Sequence, residues 1–401
     1  MKIAILAVLP LVAGCLASGD DSRRPPAEPV DDGVVVGGRG AWAPDDAWTV
    51  EEVLSVGGLD SGVESQFGVI SGVDVDGAGN IYVADKQIRN VRVFDAAGAY
   101  LRTMGRPGEG PGEFGSNIGG VFVLGDEVVV PDASSARVSR FGLDGAFLAS
   151  DPVRADRGIP IRWDVAGGRL VAQRRRIVPG DRTATVGDAV VTLGLEGGPV
   201  DTLATLPAGQ SVQVTGGLPR IRQFEPEPVW DTTVDGRLVT AMTDAWRFEV
   251  RDASGALEWI ASRPTDVRRV TERQREAVRR SLREMYRRQG VPPALSQEVL
   301  DGMEFADDLP ALASVTFGPY GSLWVQDFTP PDAFEDGRVR VSVHDMGSPS
   351  WSVFDAAGHY LGVVTFPVDF RPTRVVGDRF YGIARDALDV QTVRVFRIST
   401  E

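Results

Sequence analysis

Few residues in this chain have types and spacings that could do chemistry. In the stretch "DVDGAGN", Asp74, Asp76 and Asn80 set oxygen donors at alternate positions, as a calcium loop would. Ala78 stands where a further ligand is needed, and Asn80 already opens the next strand. A hairpin turn closed by its own Asx hydrogen bonds accounts for the same letters. Histidine chemistry is sparse, since His344 and His359 are the only two. His359 replaces Ala99 in a near-repeat and reads as a surface hairpin position, which leaves His344 as the one plausible member of a hydrolytic triad. No G-x-S-x-G elbow is present to supply a nucleophile. "GPGEFG" (110–115) matches G-x-G-x-x-G but follows a strand without opening a βαβ unit, so it reads as a long loop.

Arginine is more informative. Lys2 and Lys86 are the only lysines among 42 basic residues, a bias that GC-rich coding also produces. Loops that a ring fold would bring to one mouth contain Asp85, Lys86, Arg89, Arg106, Glu113, Arg157, Arg162, Arg174, Arg175, Arg176, Arg220, Arg222, Trp246, Asp327 and Arg371. A planar guanidinium pairs bidentately with carboxylate or phosphate. We therefore expect Arg89, Arg106, Arg162, Arg174, Arg176, Arg222, Trp246 and Asp327 to bind a protein, a peptide or a small anionic ligand. Ordinary pairing with the chain's 56 acids accounts for the same arginines.

That expectation depends on the elements that carry the loops. "VFDAAGAYL" (93–101) recurs as "VFDAAGHYL" (353–361). Around the first copy, "ISGVDVDGAGNIYVADKQIRNVRVFDAAGAYL" (70–101) holds four short alternating segments separated by Gly, Asp and Asn turns, the pattern of an antiparallel meander. Echoes follow at 138–150, 192–206, 248–262 and 351–364. Their turn glycines, Gly98, Gly145, Gly198, Gly255 and Gly358, lie 47, 53, 57 and 103 residues apart. A four-stranded unit at this period predicts propeller blades. The long gap holds residues 265–302, where Val267, Val270, Val278, Leu282 and Met285 follow helical spacing and Pro292-Pro293 breaks the run. Thr271-Glu272 marks the expected helix start. The C-terminal segment 378–400 supplies only the later strands of a sixth blade, so "AWTVEEVLSVGG" (47–58) is expected to pair with it and close an all-β, six-bladed ring.

A net charge of −14 argues against nucleic acid as a partner. Cys15 is the only cysteine, so no intrachain disulfide forms. It ends the apolar run "MKIAILAVLPLVAGCL", and Leu11 to Cys15 resembles the lipobox of bacterial lipoproteins. That resemblance implies a signal peptide over 1–14, lipidation of Cys15 and, with Leu16 next, the outer membrane facing the periplasm or surface. Residues 15–46, rich in Pro, Gly and acid, read as a flexible tether, and 47–401 as the propeller.

Residues 79–114, with "YVAD", "VFDAAG" and "GPGEF", resemble the NHL repeat. With "GSLWVQDF" (321–328) and "WSVFDAAGHYLGVVTFP" (351–367), the chain resembles six-bladed propeller lipoproteins of bacteria, NHL-like or TolB-like, over roughly 47–400. Such propellers include ligand-binding modules, RNA-binding modules, lyases and calcium-dependent lactonases. The histidine-rich zinc site of the amidating lyases cannot be built from two histidines. We expect a monomeric, non-catalytic binding or scaffold module without a cofactor, the helical insertion offering a second contact surface. The alternative is a metal-dependent hydrolase or lyase, with calcium in the central channel. The two differ in whether acids and histidine converge on inner strands around the axis.

Overall fold

A computed structural model of the protein describes residues 34–35, 40–43, 47–154, 158–179, 183–198, 200–207, 211–215, 218–220, 222–334, 338–386 and 388–400. Alternation in the sequence becomes six antiparallel meanders, each listed here from inner to outer strand. Blade 1 is Ile70–Val75, Ile81–Asp85, Asn90–Phe94 and Tyr100–Met104. Blade 2 is Phe122–Leu124, Glu127–Asp132, Arg137–Gly142 and Phe147–Pro152. Blade 3 is Ile159–Ala166, Arg169–Pro179, Thr183–Thr192 and Thr202–Leu206. Blade 4 is Pro228–Thr232, Leu238–Met242, Arg247–Arg251 and Leu257–Ser262. Blade 5 is Leu312–Phe317, Leu323–Phe328, Gly347–Phe354 and Tyr360–Thr365. Blade 6 takes Arg371–Val376, Arg379–Arg385 and Gln391–Ser399 from the C-terminus and Thr49–Gly57 from the other end of the chain.

That last strand closes the ring. It runs antiparallel to Gln391–Ser399, from Thr49 opposite Ser399 to Gly57 opposite Thr392. The chain before it also belongs to the propeller. Val34–Val35 lie parallel to Ala261 and Ser262 on the outer strand of blade 4. The Ala41 and Trp42 amides donate to the Tyr360 and Leu361 carbonyls, at 3.1 and 3.0 Å, on the outer strand of blade 5. Residues 34–35, 41–42 and 49–57 thus lie along three outer edges, which blunts exposed ladders. The tether boundary expected at residue 46 moves back accordingly, and Cys15 and the signal segment lie outside the described residues.

Packing follows the ring. Buried apolar clusters fill the gaps between blades 1 and 2, 2 and 3, 3 and 4, 4 and 5, 5 and 6, and 6 and 1. The repeated hairpin is the third-to-outer turn of blades 1 and 5. Asp95 Oδ1 accepts from the Ala97 and Ala99 amides, and Asp355 Oδ1 from those of Ala357 and His359. Gly98 (φ 84°) and Gly358 (φ 89°) complete the turns in the left-handed region, where a side chain is strained. At Gly358 a Cβ would also sit 2.7 Å from the Trp259 ring.

The insertion forms two helices, α1 (Glu272–Arg288) and α2 (Pro293–Asp301). Thr271 caps α1, with Gln274 completing the capping box. Val278, Leu282 and Leu300 of the helices meet Phe305, Phe328, Val343 and Met346 in a seventh apolar cluster. Arg273 pairs with Asp332 at 3.3 Å and Arg288 reaches Asp389 of blade 6 at 3.6 Å. The helices and the 329–346 loop of blade 5 therefore form a cap tied to blades 5 and 6.

Candidate functional site

Meander connectivity gives the ring two unlike faces. Inner-to-second and third-to-outer turns share one face and are short, apart from the 193–201 connection of blade 3. The opposite face carries the second-to-third turns and the links between blades, including 105–121, 207–227, the insertion at 263–311 and the 329–346 loop. Elaborated loops on a rigid scaffold are where binding residues concentrate. Inner strands also start at this face, so it is the entrance to the central channel.

A cavity of about 580 Å³ occupies that channel, lined by the inner strands of all six blades and by residues of the 329–346 loop. Toward its far end, aspartates join neighbouring blades. Asp74, Asp164 and Asp231 occupy equivalent register positions near the ends of the inner strands of blades 1, 3 and 4, opposite Tyr82, Val171 and Val239. Asp74 accepts the Val123 amide of blade 2 at 2.8 Å and faces Arg374 Nε of blade 6 at 2.8 Å. Asp231 Oδ2 accepts the Phe317 amide of blade 5 at 2.7 Å and the Thr316 hydroxyl at 3.0 Å. Both carboxylates are committed to joining blades.

Arg162 lies between Asp164 and Asp231, with Nη2 at 3.4 and 3.2 Å from their oxygens and its guanidinium 4.4 Å above the Trp230 ring. Burial, then the negative charge of Asp231, pushes the Asp164 pKa up to about 7, against the pull of Arg162. Asp164 can therefore exchange a proton near neutrality, and burial raises the Asp74 pKa as well.

The entrance end is different. Arg371 is the first residue of the blade 6 inner strand and lines the cavity. Burial lowers its pKa most, Arg385 and Arg162 add to that, and Asp345 opposes it. Its side chain is exposed to the cavity, and no hydrogen bond or ion pair to it occurs among the described residues. Across from it, His344 sits on the short turn Val343–Met346, capped by Ser342. His344 Nδ1 lies 3.0 Å from the Ala313 carbonyl, so Nδ1 carries the hydrogen. Burial, then the charge of Arg162, pushes its pKa down to about 4, so the ring is neutral at pH 7. Nε2 is left as an acceptor.

The arginine set expected from the sequence is not gathered into one cluster. Of those residues, Arg162 enters the channel. Arg106 is exposed and pairs with Glu113 at 2.8 Å. Arg89 sits at φ 63° in the 86–89 turn. Arg174 is buried and donates to the Arg154 and Gly158 carbonyls, holding the loop before blade 3. Arg176 is exposed on the second strand of blade 3, and Arg175 pairs with Asp188 at 2.8 Å. Arg222 donates to the Phe305 carbonyl at 3.0 Å and so fastens the cap. Trp246 is 1% exposed, inside the core between blades 4 and 5, with Nε1 donating to Asp327 at 2.7 Å and Arg263 4.3 Å above its ring. Asp327 also accepts from Arg263, and it stands one residue before the end of its second strand, while Asp85 and Asp132 end theirs and accept loop amides. Arg157 and the Arg220 side chain lie outside the described residues. Asp76 accepts the Ala78 and Asn80 amides, the Asn80 side chain and the Tyr82 hydroxyl, so the "DVDGAGN" turn satisfies itself. Among the described residues, no group of three or more His, Cys, Asp and Glu is arranged to hold a metal.

Sequence reasoning missed Asp164, Asp231 and the roles of His344 and Asp345. One signal was available: "VDV", "WDV" and "WDT" place an aspartate at the same point of three inner strands.

A family described as "6-bladed beta-propeller" matches residues 60–153. No curated protein sequence matches. Among solved structures, the chain is similar to a protein of Bacteroides fragilis described as exported (11% identity, 90% of this chain and 98% of that one, TM-score 0.49). It is also similar to a DUF4221 family member of Bacteroides vulgatus (12%, 88% and 99%, TM-score 0.49) and to virginiamycin B lyase of Staphylococcus aureus (10%, 88% and 99%, TM-score 0.42).

Proposed function

We propose that this six-bladed propeller is an extracytoplasmic, lipid-anchored binding module that captures a small anionic ligand in its channel. One observation carries the reading: the Arg371 side chain lines the channel and makes no hydrogen bond or ion pair among the described residues. A guanidinium open to the channel and free of hydrogen-bonded partners offers its planar fork to a carboxylate or phosphate. A volume of about 580 Å³ lies in the range of ligand pockets. Capture without turnover fits a channel whose Asp74 and Asp231 are committed to structure.

A thermal-shift screen of small anions tests this. At 100 times Kd, a ligand adds about 2.7 kcal/mol of stability, a rise of several degrees. At least one anion raises the Tm of the native protein and leaves Arg371→Ala unmoved. Equal shifts in both proteins would overturn the reading. The anchor rests on Leu11 to Cys15. Palmitate labels the protein in cells and fails to label Cys15→Ser; label retained by that variant would remove the anchor.

Asp164 favours a second reading. Its carboxyl titrates near 7 and lines the cavity, which suits a general acid in a hydrolase or lyase. Conversion of a bound anion, followed by NMR and lost in Asp164→Asn, would select the enzyme.

A further inference from the structure

We infer that the captured anion is a carboxylate that also carries hydrogen-bond donors, as a sugar acid or an amino acid does. This rests on the channel reading above and narrows it. The entrance end of the cavity presents two unpartnered groups of opposite kind. Arg371 offers donors and a positive charge. His344 offers Nε2, an acceptor with no hydrogen bond among the described residues, because Nδ1 is held by the Ala313 carbonyl. The neighbouring Asp345 adds a second acceptor. Its Oδ2 takes the Ser342 hydroxyl at 2.8 Å, and Oδ1 has no hydrogen bond among the described residues.

These acceptors select against bare anions. Phosphate seated on Arg371 would turn oxygens toward the His344 lone pair and the Asp345 charge. A plain dicarboxylate would bring a second charge to the same acceptors. Hydroxyl or ammonium groups beside a carboxylate satisfy them, and a site built to hydrogen-bond a donor rejects analogues that lack it. Phe122, Trp163 and Phe334 line the same space and give apolar walls against which the carbon face of such a ligand can lie.

Isothermal titration of the full chain with glucuronate, glutamate, succinate and inorganic phosphate tests the inference. Glucuronate or glutamate binds about tenfold or more tightly than succinate and phosphate, the effect of one or two hydrogen bonds. The tighter of the two identifies sugar acid or amino acid. His344→Leu erases that preference while leaving succinate affinity within about twofold. Arg371→Ala loses all four. Succinate or phosphate binding as tightly as both others would overturn the inference and leave the anion reading standing. Binding that ignores Arg371, or no binding by any of the four, would remove the reading beneath it as well. Circular dichroism of each variant separates lost binding from lost folding.

Discussion

A chain lacking residues 1–57 does not give a folded six-bladed ring. The Thr49–Gly57 strand is the only cover on the outer edge of Gln391–Ser399 among the described residues, and eight residue pairs join the two. Leu54 and Val56 pack against Phe67, Phe94 and Tyr381 between blades 6 and 1. Exposing two such side chains costs about 2 kcal/mol each. Losing the ladder costs roughly 1 kcal/mol per hydrogen bond and bares the edge of a strand. Together these approach the ~5–15 kcal/mol that keeps a domain folded. The truncated chain is expected to aggregate, or to stay soluble without a cooperative melt by circular dichroism. A sharp transition near that of the intact chain would show that the ring closes by other means.

Asp164→Asn is expected to reverse its effect on stability between acid and mildly alkaline solution. The folded carboxyl titrates near 7, against 3.8 without the protein around it. Between those values the folded chain holds a proton that the unfolded chain releases, so stability falls as pH rises from about 4 through about 7. The loss over the whole titration amounts to roughly 4 kcal/mol, since each pKa unit is worth about 1.4 kcal/mol. An amide cannot ionise, so the variant escapes this loss. Urea melts at pH 4.5 should find it no more stable than the native chain. At pH 8.5 it should be more stable by about 2–3 kcal/mol. A constant difference across that range would mean that Asp164 ionises normally. His344, with its pKa pushed down from 6.5 to about 4, adds an opposite slope, stability rising with pH between those values, but it does so in both proteins and cancels from their difference.

The scaffold was legible because its signals are local and repeated. Asp95 and Gly98 define one turn, Asp355 and Gly358 write it again, and hairpin chemistry depends on neighbours a few residues apart. Thr271 and Gln274 likewise mark the start of α1 within one helical turn. Even the closing strand could be inferred, since a blade short of one strand needs a partner.

The site was less legible because it is assembled across blades. Arg162, His344 and Arg371 come from blades 3, 5 and 6 and act on one another through a shared cavity. Each looks like an ordinary polar residue in its own strand or loop. Trp246 misled in the opposite direction. An aromatic in an entrance-side loop suggests a ligand platform, yet its ring fills the gap between blades 4 and 5 and its N–H is taken by Asp327. Arginine density was a poor guide for the same reason: Arg106, Arg174, Arg175 and Arg222 all have partners within the protein.

The most direct measurement is a crystal structure of the full propeller grown with saturating glucuronate. We expect the ligand in the channel, its carboxylate about 2.7–3.2 Å from the Arg371 guanidinium and a hydroxyl on His344 Nε2. A ligand held instead on the exposed arginines of blade 3, or a channel holding only water at that concentration, would contradict the account.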